Sequence, residues 1–133
     1  MQVYLDNAAT TPMDVQVIEK MTEVMHDCYG NASAIHGQGR KAKAVVEMAR
    51  KNIAKLLNCT SSELIFTGSG TEADNMALRC AVNDLEVKHI ITSEIEHKAV
   101  LDTAKELQAK NMAQVSYVKL DEYGRADLED LRK

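Results

Sequence analysis

Membrane spans, secretory signals, linkers and a cysteine framework are all missing from this sequence, and each absence closes a class of function. No stretch approaches the roughly 20 consecutive apolar residues that a membrane-spanning helix needs. The start, Met1-Gln2-Val3-Tyr4-Leu5-Asp6, has neither the basic nor the apolar region of a signal peptide. The expectation is a cytoplasmic protein with no membrane partner. Three cysteines, Cys28, Cys59 and Cys80, are odd in number and irregularly spaced. That suits neither a disulfide framework nor a CxxC metal site, so they read as reduced thiols, buried or half-buried, and no metal is expected. Lys and Arg number 16 against 20 Asp and Glu, for a net charge of −4. The two signs are interspersed with no basic stripe, which argues against nucleic acid as a partner. There is one proline, with no internal repeat and no low-complexity segment. The sequons Asn31-Ala32-Ser33 and Asn58-Cys59-Thr60 carry no weight without secretion.

What is present is a chain of 133 residues, 45% hydrophobic, enough for one domain with a core. Thr11-Pro12 followed by Asp14 predicts a helix with Thr11 as N-cap; Val15, Ile18, Met21 or Thr22, and Met25 mark one face, and the helix stops before Gly30. A second helix, from Gly37 or Gly39 to Leu57, carries Ala42, Val45, Val46, Ala49, Ile53 and Leu56 on one stripe. Arg40, Lys43, Glu47, Arg50 and Lys51 form its solvated side. Beyond Ser61 the rhythm changes to strand (63–67), helix (71–83), strand (89–93), helix (97–110) and strand (114–120). The fold class is therefore α/β: βαβ units forming a three-stranded parallel sheet, preceded by two helices. A turn at 121–124 leads to another helix start near Asp127. Ligands on such sheets gather at the carboxyl ends of the strands, which brings residues 68–71 and 93–97 to one crevice.

The richest stretch is Leu64-Ile65-Phe66-Thr67-Gly68-Ser69-Gly70-Thr71-Glu72-Ala73-Asp74-Asn75, an apolar strand that breaks into a glycine loop and re-enters a helix. Glycines let the backbone approach an anion, and the free N–H groups and dipole of the following helix favour negative charge. Thr71 can cap that helix and donate its hydroxyl, with Asp74 in capping-box position. The same spacing, Gly68-x-Gly70-x-x-Ala73 with Glu94 beyond the next strand, also matches a dinucleotide-binding unit. A plain strand-to-helix turn remains the third reading.

Four segments together resemble one family: Tyr4-Leu5-Asp6-Asn7-Ala8-Ala9-Thr10-Thr11-Pro12, Gly30-Asn31-Ala32-Ser33-Ala34-Ile35-His36-Gly37-Gln38-Gly39-Arg40, Phe66 to Asn75, and Glu96-His97-Lys98-Ala99-Val100. In this order they resemble the opening third of a cysteine desulfurase of the nitrogen-fixation and iron–sulfur-cluster type, in the class V aminotransferase superfamily. The resemblance implies the N-terminal part of a fold-type-I transferase dependent on pyridoxal 5′-phosphate (PLP), with residues 1–15 in the small domain and 16–133 opening the large PLP-binding domain. It assigns the PLP phosphate to the Gly70 N–H and the Thr71 hydroxyl, and ring stacking with proton transfer to His97. Ala8, Asn31 and His36 become candidate neighbours of the substrate, although an Asn-Ala-Ser stretch before a helix can equally be a capping turn. The implied substrate is L-cysteine, converted to L-alanine with sulfur left as an enzyme persulfide. The implied partners are a second copy in a homodimer and a sulfur-acceptor or iron–sulfur scaffold protein.

Departures and absences qualify this likeness. Ala32 and Ala34 stand where the family usually has Pro and Ser, and Gly68-Ser69 where it has Ser-Gly. The family's cofactor-linking lysine, the acid facing the pyridine nitrogen, the substrate-binding arginine and the persulfide cysteine all lie past the position of Lys133. Lys98, Cys28, Cys59 and Cys80 match none of them. The chain is therefore expected to be an N-terminal segment, inactive alone and without covalently held PLP. The alternatives are a selenocysteine lyase or another class V relative, and a non-catalytic module binding a phosphate or a partner. A dinucleotide-binding unit leaves the Asn-Ala-Ala-Thr-Thr-Pro and Glu-His-Lys-Ala-Val segments unexplained.

Overall fold

The computed structural model describes residues 3–132. The chain divides into two compact units, Met1–Ile65 and Phe66–Lys133. Among the described residues no helix is long and apolar enough to cross a membrane.

The first unit is built on two helices. α1 runs over Val15–Asp27, and its N-cap is Asp14, whose Oδ1 accepts the Gln16 N–H at 2.8 Å. The start expected at Thr11 and Pro12 is thus displaced by one turn. A carboxylate at Asp14, with ψ at 140°, satisfies the helix amide more strongly than the threonine hydroxyl would, and residues 11–13 remain outside the helix. α2 spans Gly37–Leu56 and buries Gly39, Ala42 and Ala54. It closes in a Schellman arrangement: Asn58 donates to the Lys55 carbonyl and Cys59 to that of Ala54, with Asn58 in the left-handed region at φ 53°. Arg50, expected on the solvated side, is half-buried and donates from Nη1 to the Leu64 carbonyl, binding α2 to the segment that follows it.

After a single 3₁₀ turn at Ser61–Glu63, Leu64 is extended at φ −101°, ψ 126°. The strand expected over 63–67 is not formed, because extended backbone becomes a strand only by pairing, and among the described residues no strand pairs with it.

The second unit contains α3 (Gly70–Asn83), β1 (His89–Thr92), α4 (Lys98–Ala109), β2 (Gln114–Tyr117) and the single turn α5 (Leu128–Leu131). β1 and β2 pair in parallel, His89 opposite Gln114 through Thr92 opposite Tyr117, with α4 as the crossover. The sheet described is two-stranded rather than three-stranded. β2 ends early: Val118 still donates to the Thr92 carbonyl, but Leu120 then bridges back to Ala126 in antiparallel fashion. The core joins the two helices to the sheet through Val82, Leu107 and Ala113, with Leu78 and Ile90 against them. Ala104 and Leu107 are 0% and 1% exposed, so the stripe of α4 that contains them is the best-covered surface of the chain. Of the three free cysteines, Cys28 and Cys59 are half-buried, as their hydrophobic character suggests, while Cys80 is exposed on α3.

Candidate functional site

The glycine loop is organised by two side chains other than those the sequence pattern suggests. Ser69, fully extended at φ −164°, is the N-cap of α3, and its Oγ accepts the Glu72 N–H at 3.2 Å. Glu72, not Asp74, provides the returning carboxylate: its Oε2 accepts the Gly68 N–H at 2.7 Å. The helix begins at Gly70, one residue earlier than expected, so Thr71 occupies its second position and its hydroxyl is released from capping.

Among the described residues, no protein acceptor is paired with the Gly70 N–H, the Thr71 N–H or the Thr71 hydroxyl. A Cβ placed on Gly70 would meet nothing within 4 Å, so the space beside this glycine is open. Two backbone donors and a hydroxyl at the positive end of a 14-residue helix are a donor set that fits phosphate oxygens.

His97 is the N-cap of α4, where its Nδ1 accepts the Ala99 N–H at 3.1 Å. That bond fixes the tautomer: the neutral ring carries its proton on Nε2, and the exposed ring is held at the helix start. Thr71 and His97 line the same cleft, of about 450 Å³, together with Asn75, Arg79, Thr103 and Glu106. Along its floor the Thr103 hydroxyl donates to Asn75 Oδ1 at 2.6 Å, and Asn75 Nδ2 donates to the Thr71 carbonyl at 2.8 Å. At its far end Arg79 and Lys110 both donate to Glu106. The hydrogen bond from Arg79 first, and that from Lys110 second, hold the Glu106 carboxyl down at about 2.

Asn75 and Thr103 were not legible as site residues. Asn75 was only the last residue of a motif. Thr103 had one faint mark, a hydroxyl at i+4 from Ala99 and i−4 from Leu107 on an otherwise apolar stripe, and it is 3% exposed.

Ala8, Asn31 and His36 belong to the first unit. Ala8 is exposed in a turn closed by the Asp6 carbonyl, which accepts from Ala9 and Thr10. Asn31 Oδ1 accepts the Ser33 N–H at 2.9 Å and its carbonyl accepts that of Ala34, so this residue builds its own turn. His36 is the N-cap of α2, its Nδ1 accepting from Gly39 at 3.3 Å. The backbone of Gly39 lies so close to the carbonyls of Asn31 and Ala34 that a Cβ there would stand 2.7 Å from the former and nearer still to the latter. Glycine is what lets the 31–36 loop fold down onto α2.

The family profile described as aminotransferase class-V matches residues 3–133. The chain belongs to the class-V aminotransferase family. Within that family it is 46% identical to the cysteine desulfurase IscS of Neisseria meningitidis over 133 residues, covering 98% of this chain and 33% of that protein. The IscS of Dictyoglomus turgidum is 42% identical, with 99% of this chain and 34% of that protein covered. Among solved structures, a NifS-like protein superposes with a TM-score of 0.89 at 42% identity, covering 98% of this chain and 36% of its own. SspA in complex with cysteine superposes at 0.82 with 33% identity, over 93% of this chain and 36% of that one. This class-V aminotransferase chain thus spans about a third of the length of the relatives it matches. The likeness to NifS- and IscS-type proteins drawn from the four motifs is borne out, as is the α/β fold class.

Proposed function

We propose that this chain is the N-terminal part of a PLP-dependent cysteine desulfurase that acts in the cytoplasm as a homodimer. In this reading it turns L-cysteine into L-alanine and passes the sulfur, through an enzyme persulfide, to an iron–sulfur scaffold or other acceptor protein. Residues 1–15 would join the small domain and the rest would open the large one. The observation that carries the reading is the shared cleft: Thr71, with unpartnered donors beside it, and His97 line one cavity in a chain 46% identical to IscS.

PLP, when bound, supplies an electron sink for bond cleavage at an amino acid. The Gly70 and Thr71 N–H groups and the Thr71 hydroxyl bind its phosphate, helped by the dipole of α3. Ser69 and Glu72 keep the loop in shape, and because Glu72 occupies the Gly68 N–H, the donors left for the phosphate are those at the helix start. His97 presents its ring and Nε2 to the cofactor while Nδ1 stays on the Ala99 N–H. The proton it holds or moves is therefore the one on Nε2. Ala8, Asn31 and His36 are proposed as neighbours of the substrate on the strength of the motif resemblance.

Reading the coding frame past Lys133 and assaying the whole protein tests this. A frame that continues into a lysine after a strand and a later loop cysteine, with alanine and sulfide released from L-cysteine, is the expected result. A stop codon, or a whole protein that retains no PLP, overturns it.

A further inference from the structure

We infer that Asn75 and Thr103 are positioning residues that hold Thr71 and His97 at their mutual spacing, an inference that rests on the phosphate and proton roles given above. The two groups sit on different helices, Thr71 in the first turn of α3 and His97 at the cap of α4. Apolar packing sets the two helices side by side, but being non-directional it does not by itself orient the polar groups at their ends.

The bonds between them are directional. A hydroxyl in the middle of a helix ordinarily folds back onto the carbonyl four residues earlier. Thr103 instead reaches across to Asn75 Oδ1 at 2.6 Å, and it is buried to 3% exposure. Asn75 uses its other end on the Thr71 carbonyl at 2.8 Å. The amide is oriented at both ends: its oxygen takes the α4 hydroxyl, its nitrogen takes the first turn of α3. Turning the amide would leave the Thr103 hydroxyl able to accept from Nδ2 but would set Oδ1 against the Thr71 carbonyl, two acceptors together, so the Thr71 end sets the register of the relay. It fixes the carbonyl of the same residue whose hydroxyl is assigned to the phosphate.

The test uses the full-length holoenzyme and one readout, the dissociation constant for PLP by equilibrium dialysis, with rescue by a conservative variant and a double-mutant cycle. Thr103→Val removes the hydroxyl at constant shape and should weaken PLP retention by about 3- to 10-fold, the scale of one neutral hydrogen bond. Thr103→Ser, which keeps the hydroxyl, should restore most of it. The deciding measurement is the cycle with Thr71→Ala: if Thr103 acts through Thr71, adding Thr103→Val to that variant should change PLP binding by less than about 2-fold. A merely structural role would instead give additive losses. Asn75→Asp keeps the acceptor for Thr103 but sets a carboxylate against the Thr71 carbonyl; it should loosen PLP as Thr103→Val does, and it serves where the valine variant fails to fold. Parental PLP binding in Thr103→Val or Asn75→Asp, or additivity in the cycle, overturns the inference. Unchanged PLP binding in Thr71→Ala is a different failure, that of the phosphate assignment itself.

Discussion

The guanidinium of Arg79 on α3 meets the carboxylate of Glu106 on α4 with Nη2 and Oε2 2.6 Å apart, although the two residues are separated by 27 positions in sequence. It is a second directional link between the helices that carry Thr71 and His97, about one helical turn beyond the Asn75–Thr103 bond. It differs in being wet: the side chains are 38% and 40% exposed.

That exposure and the charge on Glu106 give a pH prediction. The folded-state carboxyl is held at about 2, below its ordinary 4.5. A depressed carboxylate pKa means that the stability it lends is complete above the ordinary value and is lost as pH falls from about 4.5 toward 2. Glu106→Gln should therefore lower the melting temperature at neutral pH by the same amount that it removes from the decline across that window, a modest amount because exposed ion pairs contribute weakly. Identical acid limbs in the two proteins would show that the pair is energetically idle.

Thr71→Ala and His97→Ala should fail differently in the full-length protein. Loss of a charge-assisted hydrogen bond worth about 1.5–3 kcal/mol should weaken PLP retention roughly 10- to 150-fold in Thr71→Ala, with excess cofactor restoring most of the turnover. Loss of an acid–base group should cost His97→Ala about 10²- to 10⁴-fold in rate, beyond repair by PLP. Because His97 also caps α4, His97→Asn is the cleaner variant: it keeps a capping oxygen and should retain the melting temperature while remaining slow. Wild-type turnover in His97→Asn would remove histidine from the chemistry.

Gly39→Ala and Gly70→Ala should separate two uses of glycine. At Gly39 the added methyl collides with backbone carbonyls that cannot yield, and unfolding by urea should show a loss of about 1–3 kcal/mol or more. At Gly70 nothing lies within 4 Å, and the change should be within about 1 kcal/mol, toward greater stability. Equal effects at the two sites would contradict the close approach of the 31–36 loop to α2.

Cys80 is exposed yet should alkylate slowly. A hydrogen bond to Asp84 raises its thiol pKa, with desolvation and the Asp84 charge acting in the same direction, so less thiolate is present at neutral pH. Asp84→Asn should speed iodoacetamide labelling of Cys80 by about 2- to 5-fold, read by peptide mapping at pH 7.5. No acceleration would mean that the carboxylate does not govern the thiol.

The sequence by itself determined the local events, those decided by residues within one turn of each other. Helix positions followed from apolar spacing, and the helical end near Leu57 from the apolar stripe stopping there. The anion cradle followed from glycines ahead of a hydroxyl, and the family from four ordered motifs. Where two nearby residues competed for one duty, sequence chose less well: Asp14 outranked Thr11 as the cap of α1, and Ser69 with Glu72 took the roles expected of Thr71 and Asp74. The outcome there depends on which side-chain oxygen reaches an amide first, a matter of one residue's φ and ψ. What only the tertiary structure decided was pairing at a distance. Whether 63–67 becomes a strand depends on a neighbour it must bond to, and whether Thr103 faces Asn75 or its own helix depends on how α3 packs against α4. The same packing brings His97 to the cleft that Thr71 lines. Hydrogen bonds across tens of residues leave no periodic trace in a sequence, because their geometry exists only once the core formed by Val82, Leu107 and Ala113 has set the helices side by side.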